Sequence, residues 1–392
     1  MRAAPAPTTV AGLVTALVGF LSSFAVVLTG LRAVGASPAQ AASGLLVLSL
    51  ATGLGTALLA HRTRLPVTLA WSTPGAALLA GAGAHRWPEA VGAFAAVGVL
   101  VLVTAVWGRL GDLIASIPPP LAQAMLAGVL VPLCLAPVTA VLATPATVLP
   151  VVLVWAVLAR LAPRWAVPGA FVLTLALVAR QAAADGGLPA SALVPALRWT
   201  TPQLGVGALV GLALPLFVVT MASQNVPGVA VLASFGYRAP WRAAMAVTGA
   251  ATVAGAPFGG HAVNLAAISA ALSAGPEAGE DPGQRYRAAR TAGLTYLGLA
   301  AASTGLAALV VTAPPGLVAA AAGLALWPVL AASLAGALEL PDARVPAVAA
   351  FLVAVSGASV AGIGPAFWAL VTGTALWAWL HRRPRSVVDR HG

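Results

Sequence analysis

Phe258-Gly259-Gly260-His261-Ala262-Val263-Asn264 places an ionisable imidazole and a carboxamide directly after a Gly-Gly step, inside an otherwise apolar stretch. Pro257 precedes it, so the segment loses a backbone donor and gains two residues free to turn sharply. Polar groups on interrupted backbone at membrane depth mark transport sites, because such backbone is tolerated in a bilayer only where protein buries it or a cavity hydrates it. A second interruption, Trp71-Ser72-Thr73-Pro74-Gly75, cuts another apolar stretch in its middle.

Outward from these two breaks the chain reads as membrane protein throughout. Of its 392 residues 60% are hydrophobic and 7% charged, and the mean hydropathy is +0.97. Apolar runs of roughly 17–25 residues recur with no soluble stretch between them, so residues 1–392 form one domain in the lipid bilayer. Spans are expected at 10–31, 39–60, 65–80, 88–107, 117–135, 139–159 and 167–184, then at 203–223, 241–254, 255–272, 291–311, 316–338, 345–360 and 363–380. The run 10–31 reads as a retained span, since no small-residue cleavage site follows a short apolar core. The pattern is an all-α polytopic protein of about fourteen spans in two sets of seven, 1–184 and 203–383, each with its third span broken. An odd number per set makes the repeats inverted, with the broken spans meeting at a central site. The same breaks also read as plain Pro and Gly kinks.

The net charge of +11 comes from arginine alone, without lysine. With the N-terminus inside, sixteen arginines fall on inner segments and only Arg32, Arg86, Arg180 and Arg198 on outer ones. That asymmetry is the positive-inside signature, puts both termini in the cytoplasm, and assigns the charge to topology rather than to nucleic acid. Glu277, Glu280 and Asp281, opposed by Arg285 and Arg287, read as a solvated turn. Cys134, the single cysteine, forms no intrachain disulfide.

All nine carboxylates fall in loops or at span ends, so no acidic residue marks the membrane midplane. Two half-helix N-termini aimed at a site without fixed negative charge favour an anion. His261 is the only histidine inside a span and either carries a coupled proton or bonds a carbonyl freed by the break. Asn264, three residues on, shares a helix face with it if Gly260 starts a helix. Ser72 and Thr73 sit where they cap a half-helix from Pro74 or meet substrate. The run Ser223-Gln224-Asn225 before Pro227-Gly228 either lines a cavity or ends a helix, and Trp71, Phe20, Phe24 and Phe258 are candidates for an aromatic wall. No paired carboxylates, Cys-His group or Asp-rich motif points to an enzyme, metal or cofactor, and no filter repeat points to a channel.

Segments 70–78, 223–232 and 256–268, taken together, closely resemble the benzoate/proton symporter family. The resemblance covers nearly the whole chain. It implies a bacterial inner-membrane carrier that imports benzoate or a related aromatic carboxylate with protons. It also implies kinship with uracil-permease-like carriers, in which the third and tenth spans are half strand, half helix. Spans one to four and eight to eleven then form a core, the remaining six a gate, and a homodimer through the gate is implied. Carried over by position, Ser72, Thr73, Gln224, Asn225, His261 and Asn264 contact substrate; the helix starts at Thr73 and Gly260 are expected to hold its carboxylate, and His261, with no acidic residue in those spans, is the candidate for proton coupling. Uracil-type relatives carry acidic residues on spans eight and ten, absent here, which points away from a nucleobase. A carrier or channel for another anion is the alternative.

Overall fold

The computed structural model describes residues 7–83, 85–107, 118–189, 193–267, 269–358, 360 and 363–381. Arg2, Arg109, Asp112, Ile268 and the arginines after His381, all used in the sequence reading, lie outside them. The chain runs α1 (Pro7–Leu21), α2 (Phe24–Ala33), α3 (Pro38–Thr63), β1 (Leu69–Trp71), α4 (Thr73–Gly81) and α5 (Trp87–Val106). Three helices follow, α6 (Pro119–Ala143), α7 (Pro145–Leu161) and α8 (Pro163–Ala184). The second half comprises α9 (Val206–Ser234), α10 (Trp241–Gly255), β2 (Val263–Leu265), α11 (Ala270–Ala274) and α12 (Tyr286–Val311). It ends with α13 (Leu317–Ala337), α14 (Arg344–Val355) and α15 (Pro365–His381). Eight of the described segments are long and apolar enough to cross a membrane.

Two packed bodies result. Helices α1 to α5 and α9 to α12, with both strands, pack on one another as the core, while α6 to α8 and α13 to α15 form the gate. The core is held at two matched crossings. A Cβ added to Gly53 on α3 lies 2.8 Å from the Gly293 carbonyl oxygen on α12, and one on Gly293 lies 2.7 Å from that of Gly53. On α10, a Cβ on Gly249 meets the Gly98 carbonyl oxygen of α5 at 2.9 Å, and one on Gly98 meets that of Gly249 at 3.0 Å. Glycine permits this backbone approach, which replaces the hydrophobic drive that lipid removes.

Several expected boundaries move. Run 10–31 bends at Ser22-Ser23. The fifth expected span, α6, passes through Pro137 to Ala143, and the break falls instead at Thr144-Pro145. The eighth span continues past Ser223 to Ser234. Met221–Asn225 forms a π-helical turn, and this wide turn absorbs the donor missing at Pro227 without ending the helix. The acidic loop also differs from a plain solvated turn: Arg285 is buried and donates to the Ala274 and Gly279 carbonyl oxygens, both at 2.9 Å.

Gly249→Val forces a branched side chain into the α5 crossing and is expected to cost about 1–3 kcal/mol, the scale of overpacking. Gly298→Ala, with open space around its Cβ, is the control. Equal thermal midpoints for the two purified variants exclude this crossing as a structural constraint.

Candidate functional site

Strands β1 and β2 pair antiparallel at the centre of the core, with Leu69 opposite Leu265, Ala70 opposite Asn264 and Trp71 opposite Val263. Backbone bonds extend the ribbon, Ser72 N–H to Ala262 O and Ala266 N–H to Thr68 O, each 2.9 Å. Edge N–H groups find side chains. Leu69 N–H donates to Thr56 Oγ1 at 2.9 Å, Val263 N–H to Thr252 Oγ1 at 3.0 Å, and Leu265 N–H to Asn225 Oδ1 at 2.9 Å. Thr56 and Thr252 each lie three residues after a crossing glycine, in Gly53-Leu54-Gly55-Thr56 and Gly249-Ala250-Ala251-Thr252. This repeated spacing is readable in the sequence.

The ribbon positions one true half-helix start. Ser72 Oγ accepts from Gly75 N–H at 3.1 Å and from the Thr220 hydroxyl at 2.9 Å, capping α4. The amide of Thr73, the first helical residue, has no intrahelical acceptor. The second break differs from the sequence expectation. Ala256–Phe258 is a 3₁₀ turn, Gly259 adopts φ 91°, and the chain then runs extended through His261 and β2, so Gly260 starts no helix. Consequently His261 and Asn264 share no helix face, and the helix that follows, α11, has five residues.

A cavity of about 220 Å³ lies between core and gate. The core contributes the Ser22-Ser23 bend, Trp71, Thr73, Pro74, Gln224, Ser269 and Tyr296, and the gate contributes Arg164, Pro168 and Pro328. Trp71 stands edge-on to Phe20 and Tyr296, with centroids 5.5 and 5.8 Å away, and donates its indole N–H to Ser23 Oγ at 2.9 Å. Phe20 and Phe24 stack behind this wall. Phe258 packs against Trp199, away from it. At the mouth, Arg164 on α8 lies 3.9 Å from Glu277, which among the described residues is the one ion pair joining gate to core.

Of the candidate ligands, Thr73 and Gln224 line this cavity, and Ser72, Asn225, Gly260, His261 and Asn264 sit behind it, buried. His261 packs edge-on to Phe94 at 6.3 Å, and its Nδ1 accepts from Ala262 N–H at 2.7 Å. His261 Nε2 and both amide atoms of Asn264 have no hydrogen-bond partner among the described residues. Ala70 and Ala266 line the cavity, and strand alternation puts Asn264 and Thr68 on the same ribbon face, one layer behind. Sequence reading missed Ser22, Ser23, Arg164 and Tyr296 as cavity residues. The Ser-Ser pair inside an apolar run was the available signal for the first two, whereas Arg164 and Tyr296 join the cavity only through tertiary packing.

Two packed bodies around a broken-helix ribbon, with a cavity at their junction, define a membrane transporter. The fold agrees: the chain superposes on the transmembrane domain of a cyanobacterium bicarbonate transporter, BicA, with TM-score 0.60 over 93% of this chain and 97% of that one, at 14% identity. It superposes on SLC26A9 with TM-score 0.60 over 95% of this chain and 65% of that one, at 13% identity. These share the fold of two inverted seven-segment repeats. Residues 2–378 match the family described as benzoate membrane transport protein, and the chain belongs to that family. It is 36% identical to inner membrane protein YdcO of Escherichia coli (strain K12), over 96% of both chains. It is 28% identical to the benzoate membrane transport protein of Acinetobacter baylyi (strain ATCC 33305 / BD413 / ADP1), over 93% of both. The chain is a multi-pass membrane transporter and not an enzyme.

Thr252→Val removes the acceptor for Val263 N–H and is expected to destabilise the purified protein by about 1–3 kcal/mol, the cost of a buried unpaired donor. Thr252→Ser keeps the acceptor and restores most of the thermal midpoint. Equal midpoints for both variants exclude the hydroxyl as support for the ribbon.

Proposed function

We propose that the chain imports benzoate or a related aromatic carboxylate together with protons, by alternating movement of the core against the gate. The observation that carries this reading is the cavity itself, which is lined together by the aromatic pair Trp71 and Tyr296, by Arg164, and by Thr73 at the start of α4. A planar ring stacks edge-to-face on such a wall. Its carboxylate finds a guanidinium and a half-helix N-terminus, both suited to negative charge. Thr73 and Gln224 contact substrate directly in this reading, and Ser72, Asn225 and Gly260 shape the ribbon that presents them.

His261 is the proposed proton carrier. The described carboxylates lie in loops or, like Glu89, in the end turn of a span, and among the described residues the ring has one nitrogen without a partner at the ribbon. Asn264, paired with the cavity-lining Ala70, is the proposed polar relay between ring and cavity. Residues 1–184 and 203–383 are the proposed repeats, with both termini cytoplasmic and the Arg164–Glu277 end facing inward, in the bacterial inner membrane. A homodimer through the gate is part of this reading.

The test is uptake of radiolabelled benzoate into proteoliposomes, with and without an inward proton gradient. Accumulation above equilibrium only with the gradient is expected, and absence of saturable benzoate flux in both conditions overturns the substrate. His261→Ala is expected to lose uphill accumulation while retaining benzoate exchange at equilibrium, and wild-type accumulation in that variant removes His261 from coupling. Arg164→Gln is expected to raise the half-saturating benzoate concentration about tenfold at similar maximal rate, the scale of one charge-assisted hydrogen bond. An unchanged half-saturation removes Arg164 from substrate recognition.

A further inference from the structure

A further concavity, about 580 Å³, runs between α3 and α10 and shares no lining residue with the cavity between core and gate. Leu50, Leu54 and Leu58 form one wall and Ala246, Ala250 and Ala254 the other. Each set repeats every four residues, so each helix offers one straight apolar stripe. Leu54 is 59% exposed and Leu58 45%, so the protein leaves this face open. The lining on α3 starts at Val47 and ends at Leu58, a rise of about 17 Å at 1.5 Å per residue, close to half of a hydrocarbon core of about 30 Å. The groove is therefore one leaflet deep.

The two stripes continue into charge at the same end. Four residues beyond Leu58 stands Arg62, and four residues before Ala246 stands Arg242, both exposed. Arg242, one turn of α10 before the lining Ala246, donates its Nε–H to the Ala105 carbonyl oxygen of α5 at 3.3 Å. Among the described residues the ion pairs are Arg86 with Glu89 and Arg164 with Glu277, so neither mouth arginine carries a carboxylate. An apolar trough one leaflet deep, ending at two unpaired cations at the interface, complements a single amphiphile with an anionic head. A second copy of the chain fits less well, because an isologous contact sets these arginines against their own kind or against the apolar trough.

We propose that this groove binds an anionic glycerophospholipid, with one acyl chain along α3 and α10 and the phosphate held by Arg62 and Arg242. The site is independent of the transport reading. The test is native mass spectrometry of the full-length protein, reconstituted with equal amounts of phosphatidylglycerol and phosphatidylcholine of matched chains. Wild type is expected to retain phosphatidylglycerol preferentially. The double variant Arg62→Gln/Arg242→Gln is expected to lose about tenfold or more of that preference, the scale of two basic contacts to anionic lipid. Arg344→Gln, an interfacial charge elsewhere, keeps it. Ala250→Trp, which fills the groove and spares both arginines, is expected to lower retained lipid with unchanged elution on size exclusion. Equal retention of the two lipids by wild type, an unchanged preference in the double variant, or cross-links placing the groove between two copies overturns the proposal.

Discussion

The structure depends on one constraint: backbone that leaves the helix inside a membrane must find a partner for each exposed polar group, because lipid supplies none. Two three-residue strands meet this by pairing with each other across the halves of the chain. Their outer edges are closed by hydroxyls of Thr56 and Thr252 and by the Asn225 amide. The helices bearing those threonines cross their neighbours at Gly53 and Gly249, one turn away. Close approach and edge capping are thus coupled, and the ribbon is rigidly framed by four helices.

That framing explains why polar residues near a break divide into two groups. Ser72 and Asn225 spend their hydrogen bonds on the ribbon and on a helix cap. Thr73 and Gln224, their immediate neighbours, face the cavity. Adjacent residues therefore divide between supporting the ribbon and lining the cavity. The gate adds what the core lacks, since a cationic side chain reaches the cavity from α8, whose partner Glu277 belongs to the core. In the proposed alternating movement, the surroundings of that guanidinium would change together with the shape of the cavity.

Much of this architecture was legible in the sequence. Hydropathy located the apolar helices, and Pro-Gly steps in a pair of apolar stretches flagged the two segments that pair as the ribbon. The errors have physical causes. Pro137 and Pro227 look like terminators, yet each sits inside a helix, the latter beside a π-helical turn that tolerates its missing donor. Gly260 looks like a helix start because a Gly-Gly step precedes a polar pair. Strand pairing with residues nearly two hundred positions earlier wins instead, a long-range contact that local pattern does not encode. For the same reason Arg164 and Tyr296 were invisible as cavity residues: each is an ordinary helix residue until distant helices fold around it.

The ribbon also sets a schedule for biosynthesis. Trp71 pairs with Val263, a residue 192 positions later. At roughly 5–20 residues per second, the first strand waits about ten to forty seconds before its partner leaves the ribosome. During that interval its polar backbone has no ladder, so the first half has to be held at the insertion machinery or at the bilayer surface rather than released into lipid. Assembly of this chain thereby joins two halves made at different times, and fragments ending before residue 263 lack the means to complete it.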